Sequence, residues 1–155
     1  MEKVAIIGMG IAGMGVAYAY EKEINPDNIK IDCYDSKKSF GKGYPFREDS
    51  DEILINVKRN KISYDYENMK DFNDWIIENE ITNEEYVPRN LFGKYSSKRL
   101  ENTLKNLNAN IFYEEVSDLK WIERDKNWKL TTKSGSKVYD RVHLCAGELP
   151  HMDVY

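Results

Sequence analysis

The sequence is poor in the residues that build cross-linked or metal-bound scaffolds. It has only two cysteines, Cys33 and Cys145, and two histidines, His143 and His151, in 155 residues. The cysteines form no C-x-x-C pair and the histidines lack metal-ligand spacing, so neither a disulfide framework nor a metal site is predicted. Both cysteines fall in predicted strands, which indicates buried free thiols and a cytoplasmic location.

The sequence also lacks an excess of positive charge. Lysine and arginine number 23 against 27 aspartates and glutamates, so the net charge of −4 gives no electrostatic basis for binding nucleic acid. A hydrophobic content of 41% with 32% charged residues is typical of a globular protein. The chain is long enough for one domain with its own core, and we expect a single domain over residues 1–155.

What the sequence does contain is concentrated near its start. Residues 4–7 (VAII) read as a buried strand, residues 8–13 (GMGIAG) follow, an apolar helix pattern runs to about residue 24, and a second strand over 29–34 ends at Asp35. Strand, G-x-G-x-x-G, helix, strand and acid form the dinucleotide-binding fingerprint. In this fingerprint Gly8 allows a tight turn, Gly10 admits a pyrophosphate, and Gly13 lets the helix pack on the strand. Asp35, about 20 residues further on, would hold a ribose hydroxyl and disfavours a 2′-phosphate.

Two other interpretations of this segment stay open. Residues 4–20 carry no charge and 17–19 (AYA) resemble a cleavage site, so the stretch could be a signal peptide or signal anchor. Its glycines would weaken a membrane helix and it is just short of the spanning length, so we expect no membrane partner. The other interpretation is a Rossmann-like domain that has lost its ligand.

The rest of the chain predicts an α/β fold of the Rossmann-like, three-layer FAD/NAD(P)-binding type. We expect a parallel sheet, a β-meander, and a helical insertion over residues 36–108, after the second strand. Helices are predicted at 69–80 and 95–107, with a non-repetitive stretch at 86–93 between them. Strands are predicted at 110–116, 119–124, 128–133, 137–139 and 141–146, of which the first and last join the parallel sheet. A meander and an insertion of this size favour FAD over a freely diffusing NAD.

Several motifs then carry a family resemblance. They are IIGMGIAG at 6–13, GKGY at 41–44 followed by ILINV at 53–57, FNDW at 72–75, YVPRNLFGKY at 86–95 and VHLCAG at 142–147. In this order they resemble the N-terminal FAD/NAD(P)-binding domain shared by the FAD-dependent urate hydroxylase and aspartate N-monooxygenase group of bacterial flavoproteins. Together the motifs span nearly the whole chain.

The resemblance implies a set of cofactor-binding residues. The glycine segment would hold the pyrophosphate, and the end of the second strand would hold the ribose. The backbone of Val116, at the expected end of the third strand, would lie against the adenine. The closing strand would return the chain to the pyrophosphate. Two segments of the insertion, residues 41–57 and 89–95, would lie toward the flavin and substrate. Within them, Arg89 could equally be a solvated arginine and Asn56 an asparagine that satisfies loop backbone. The implied residues are Gly8, Gly10, Ile11, Ala12, Gly13, Asp35, Ser36, Asn56, Arg89, Val116, Ala146 and Gly147.

The sequence departs from the family at its end. Family members run to several hundred residues, and a C-terminal segment returns to supply further flavin contacts. Nothing after Gly147 supplies that return, and Cys-Ala-Gly stands where Ala-Thr-Gly is usual. We therefore expect an N-terminal fragment, excised or naturally short, that binds FAD weakly and lacks turnover without a C-terminal domain or partner chain.

Catalytic residues cannot be assigned from the sequence, because no nucleophile–base pair or carboxylate pair stands out. The expected function is the FAD-binding domain of a flavin-dependent oxidoreductase or monooxygenase with a small-molecule substrate, in which the flavin supplies the chemistry. Two alternatives remain. One is a non-catalytic dinucleotide-binding or sensing module, and the other is an NAD-dependent domain.

Overall fold

The computed structural model describes residues 1–36 and 38–147. The elements follow in the order β1 (Glu2–Ile7), α1 (Ile11–Glu23), β2 (Ile29–Tyr34), α2 (Asp71–Glu78), α3 (Arg89–Asn106), β3 (Asn110–Phe112), β4 (Val116–Ile122), β5 (Asn127–Thr132), β6 (Gly135–Tyr139) and β7 (Arg141–Leu144), with short 3₁₀ turns at Pro26–Asn28 and Arg59–Lys61. Four strands form a parallel sheet of order β3-β2-β1-β7, and β4-β5-β6 form an antiparallel meander. No helix in these described ranges is long and apolar enough to cross a membrane.

The central strand β1 is buried on both faces, which explains its continuous apolar run. Val4 and Ile6 point to one side, where they share a core with α1 and α3. Ala5, between them, points to the other side and packs with Leu130 and Tyr139 of the meander. The parallel sheet therefore lies between a helical layer and the meander, and the predicted three-layer α/β fold is confirmed.

A polar cluster lies between the parallel sheet and the meander. Asp32 on β2 is only 4% exposed. Its Oδ1 accepts a hydrogen bond from Asn110 Nδ2 (2.7 Å), and its Oδ2 accepts from Tyr139 Oη (2.7 Å) and Lys137 Nζ (3.1 Å). Burial alone would raise the pKa of Asp32, but these hydrogen bonds from Asn110, Tyr139 and Lys137 hold it below its ordinary value.

The insertion after β2 has a separate core, formed by buried side chains of α2, α3 and the loops that flank them: Ile55, Phe72, Ile76, Val87, Phe92 and Tyr95. Asp71 at the start of α2 ties the two helices together. It accepts hydrogen bonds from Tyr95 Oη at 2.5 Å and from two guanidinium nitrogens of Arg99 at 2.7 and 2.8 Å. The insertion is therefore a packed unit rather than a loose loop.

Three sequence-based boundaries were wrong. Strand β3 ends at Phe112, and Val116 begins β4 instead of ending the third parallel strand, because the chain crosses from one sheet to the other over residues 113–115. Helix α3 begins at Arg89, inside the stretch expected to be non-repetitive. The closing strand β7 ends at Leu144, so Cys145 lies beyond it and is only half-buried, whereas Cys33 is fully buried.

Candidate functional site

A cleft opens where the carboxyl ends of β1 and β7 meet the N-terminus of α1. Its volume is about 490 Å³. Ligands of open α/β sheets bind outside the carboxyl ends of the strands, so the cleft occupies the expected place in the fold. Three separate parts of the chain line it: Gly8, Gly10, Ile11 and Ala12; Asp35, Ser39, Gly43, Tyr44 and Pro45; and Cys145, Ala146 and Gly147.

The turn from β1 into α1 requires glycine at its first position. Gly8 has a φ of +88°, and its N–H donates to the Tyr34 carbonyl oxygen at 2.8 Å. A Cβ at Gly8 would lie 2.1 Å from the Cys145 carbonyl oxygen, which no side chain could tolerate. The glycine thus lets the end of β7 pass directly against the turn, which places Cys145 in the cleft wall.

Gly10 and Gly43 let the loop after β2 lie close to the start of α1. A Cβ at Gly10 would lie 3.2 Å from the Gly43 Cα, so the two backbones pass close together. Among the described residues no side chain caps α1, and its first turn holds no acidic residue. The first N–H groups of α1 and the positive end of its dipole are therefore available to an anion.

Asp35 is held in place by three hydrogen bonds from the protein itself. Its Oδ2 accepts from the Met9 N–H at 2.7 Å, which joins the carboxylate to the glycine turn. Its Oδ1 accepts from the Ser36 N–H and from Ser39 Oγ, both at 2.6 Å. Asp35 thus joins the ends of β1 and β2 as well as facing the cleft.

The structure brings together most of the residues expected from the sequence. Two of them, Gly13 and Ser36, lie directly behind the cleft. A Cβ at Gly13 would sit 1.9 Å from the Gly8 carbonyl oxygen, and the Ser36 N–H donates to Asp35 Oδ1. The seven that line the cleft are Gly8, Gly10, Ile11, Ala12, Asp35, Ala146 and Gly147.

Three expected residues lie elsewhere. Asn56 is exposed in the insertion, where an isolated bridge between Leu54 and Pro88 brings its segment to Arg89 at the start of α3. Val116 packs with the meander core at the first position of β4. Within the part of the chain that the structure describes, none of these three residues lines the cleft.

Gly43, Tyr44 and Pro45 line the cleft within the segment 41–57 that was expected near the flavin, although none was named as a binding residue. The sequence reasoning missed Ser39 and Cys145 altogether. The available signal was the G-x-G at residues 41–43, since Gly41 and Gly43 both adopt positive φ, at +73° and +61°. The Gly41 N–H donates to the Met9 carbonyl oxygen at 2.9 Å, which brings the loop onto the first glycine turn. Tyr44 then projects with 67% of its surface exposed.

Solved structures that resemble this chain include those of cyclohexanone monooxygenase and OTEMO. The closed form of cyclohexanone monooxygenase has a TM-score of 0.63 at 16% identity, covering 97% of this chain and 27% of that one. The enzyme from Rhodococcus sp. Phi1 bound to NADP⁺ has a TM-score of 0.64 at 15% identity, covering 99% and 27%. FAD-bound OTEMO has a TM-score of 0.65 at 13% identity, covering 98% and 26%. The chain thus spans about a quarter of the length of these structures, and the likeness shows the fold alone.

No curated protein sequence matches the chain. A sequence model of one family does match, over residues 5–149, and it describes an FAD-NAD(P)-binding domain. The matched range includes the glycine turn, Asp35 and the strand that closes the sheet. The chain belongs to the FAD-NAD(P)-binding family.

Proposed function

We propose that the cleft binds the adenosine and pyrophosphate of FAD, and that the chain is the FAD-binding part of a flavin-dependent oxidoreductase or monooxygenase. The observation that carries this proposal is the uncapped start of α1, which lies at a cleft lined by Gly10 and Gly43. The residues fit the group, because the N–H groups suit a pyrophosphate and Asp35 offers an acceptor to a ribose hydroxyl. Bound FAD would supply the redox chemistry, and the chain would bind and orient it.

Each part of the cleft has a distinct role in this proposal. The first turn of α1 donates to the phosphate oxygens, and the glycines behind it fix the shape of the turn. The end of β2 takes the ribose, and the end of β7 forms the opposite wall. The residues with these roles are Gly8, Gly10, Ile11, Ala12 and Gly13 for the pyrophosphate, Asp35 and Ser36 for the ribose, and Ala146 and Gly147 for the wall.

Contacts outside the cleft belong to the same proposal. Asn56 and Arg89 lie on neighbouring segments of the insertion, joined by the hydrogen bond from the Arg89 N–H to the Ile53 carbonyl oxygen at 2.9 Å. Their proximity supports a shared contact region on the flavin and substrate side. For Val116, the proposed contact is between its backbone and the adenine.

The identity of the dinucleotide is proposed from charge and fold. The Asp35 carboxylate would repel a 2′-phosphate, which favours FAD or NAD over NADP at this cleft. The meander between β3 and β7 favours FAD. The alternatives are an NAD-dependent domain and a non-catalytic module that binds or senses a dinucleotide.

The extent of the complete protein is also a proposal. The chain covers 27% of the closed cyclohexanone monooxygenase chain, which supports residues 1–155 as one N-terminal domain of a longer flavoprotein. A C-terminal domain or a partner chain would complete the flavin and substrate contacts.

The order of the motifs supports a place near the urate hydroxylase and aspartate N-monooxygenase group. The free thiols of Cys33 and Cys145 support the reducing cytoplasm as its location.

The test is a titration of the chain with FAD and with NADH, together with the visible spectrum of protein passed through gel filtration after FAD is added. Gly10→Ala places a methyl group 3.2 Å from the Gly43 Cα, so one side of the cleft lining must shift, and we expect FAD affinity to fall at least about tenfold. Gly15→Ala is the matched control, because a Cβ there has nothing within 4 Å. Binding of NADH but not FAD would favour the NAD domain, and equal affinity of both variants would contradict the assignment of the cleft.

A further inference from the structure

The Asp35 carboxylate has too few free acceptor positions to hold a ribose diol alone. A carboxylate offers about four lone-pair positions. The Ser36 N–H and Ser39 Oγ occupy both positions on Oδ1, and the Met9 N–H occupies one on Oδ2. One position on Oδ2 remains, while the ribose of an adenine dinucleotide presents two neighbouring hydroxyls.

The proton positions at Ser39 follow from its two neighbours. The carboxylate only accepts, so Ser39 Oγ donates its single proton to Asp35 Oδ1 at 2.6 Å. Ser36 Oγ lies 2.6 Å from Ser39 Oγ and must therefore be the donor in that pair. Ser39 Oγ has then used its proton and one lone pair, and one lone pair is left to accept. Ser39 lines the cleft together with Asp35.

We propose that Ser39 is the second acceptor for the adenosine ribose, so that one ribose hydroxyl donates to Asp35 Oδ2 and the other donates to Ser39 Oγ. This inference rests on the proposed binding of a dinucleotide in the cleft. Both protein groups accept and neither has a proton left to give, so the pair selects two hydroxyl donors. A 2′-phosphate has no proton to donate at either position and would bring negative charge beside Asp35.

The experiment measures the affinity of the full chain for ADP, 2′-deoxy-ADP and 3′-deoxy-ADP by calorimetry. Because each hydroxyl has its own acceptor, the wild type should bind both deoxynucleotides more weakly than ADP, by about two- to tenfold each. Ser39→Ala frees a position on Asp35 Oδ1, but that position points at the vacated serine, so ADP binding should still weaken by a similar factor. It should leave the affinity of one deoxynucleotide unchanged, namely the one that lacks the hydroxyl held by Ser39.

Two further variants make the result specific. Ser39→Thr keeps the hydroxyl and should bind ADP like the wild type. Ser117→Ala is the matched control, since Ser117 Oγ donates only to the Thr131 carbonyl oxygen on the meander. This control should bind all three nucleotides like the wild type.

Three outcomes would overturn the inference. If the wild type lost affinity for only one deoxynucleotide, the ribose would have a single acceptor, whatever the variants do. If Ser39→Ala weakened all three nucleotides equally, Ser39 would act only through the position of Asp35. If the wild type bound no ADP, the proposed cleft itself would be refuted, and this result differs from the other two because it does not depend on a ribose hydroxyl.

Discussion

Replacing Asp32 by asparagine tests whether the buried carboxylate stabilises the contact between the parallel sheet and the meander. The amide has nearly the same shape but no charge, and one of its two ends becomes a donor. If that end faces Asn110, the exposed Asn110 amide can turn over so that its oxygen accepts, and Lys137 then faces a neutral oxygen. If it faces Tyr139, the phenol can turn to accept, but Lys137 then loses its partner. In both arrangements Lys137 loses its anionic partner, and its side chain can turn to water because it is 47% exposed.

The expected cost follows from the loss of that ion pair. Removing one partner from a buried ion pair costs about 3–5 kcal/mol. Asp32→Asn keeps two of the three hydrogen bonds and releases an ammonium to solvent, so we expect the free energy of unfolding to fall by about 2 kcal/mol. For a chain of this size, that corresponds to a decrease of about 4–8 °C in the melting temperature.

The pH dependence of the free energy of unfolding gives a second, independent test of the role of Asp32. The pKa of Asp32 is lowered in the folded protein from an ordinary value of 3.8. Its stabilising contribution is therefore fully present above the unfolded-state pKa and is lost as the pH falls through the lower folded-state pKa. The difference between wild type and Asp32→Asn should be constant from neutral pH to about pH 5 and should shrink below about pH 4.

The assay is urea unfolding followed by circular dichroism at several pH values. Asp118→Asn is the matched control, because Asp118 is exposed on β4, and it should change stability by less than about 0.5 kcal/mol. Two results would refute the reasoning. One is an Asp32→Asn variant as stable as the wild type at pH 7, and the other is a difference that persists unchanged at pH 3.

Three further results are expected. Gly13→Ala should destabilise the chain by about 2 kcal/mol or more in urea unfolding, because its Cβ would lie 1.9 Å from the Gly8 carbonyl oxygen; unchanged stability would contradict that contact. Arg99→Gln should cost about 1–2 kcal/mol in the same assay, since it removes two charged hydrogen bonds from a partly exposed pair. Burial raises the pKa of the Cys33 thiol to about 12, so iodoacetamide should label Cys145 well before Cys33 in peptide mapping, and ADP should slow the labelling of Cys145 in the cleft.

The sequence predicted the part of the fold that local patterns control. The apolar run at residues 4–7 requires burial on both faces, and the structure covers β1 with helices on one side and the meander on the other. The glycine turn was also predictable, because its backbone requirements act between near neighbours. The spacing to Asp35 followed in the same way, since one helix and one strand set its length.

The errors arose where distant contacts decide the structure. Residues 86–93 were expected to be non-repetitive, yet Gly93 lies inside α3. Its lack of a side chain lets the loop pack closely, because a Cβ there would lie 2.0 Å from the Phe46 carbonyl oxygen. Helix propensity ranks glycine as unfavourable inside a helix, but it contains no information about the loop that packs against Gly93. Valine is common in strands of every kind, so its type does not say which sheet Val116 joins. Only the pairing of Val116 with Thr132 assigns it to the meander.

Asp35 shows the difference between locating a site residue and knowing what it binds. The spacing places its carboxylate at the end of β2 and at the edge of the cleft, as the fingerprint requires. Most of its acceptor capacity is already used by Met9, Ser36 and Ser39, and these bonds depend on how two loops fold against each other. A position in the sequence therefore identifies the residue that would face the ribose in the proposed complex. Only the count of its donors and acceptors leads to the proposal that a second side chain binds one of the two hydroxyls.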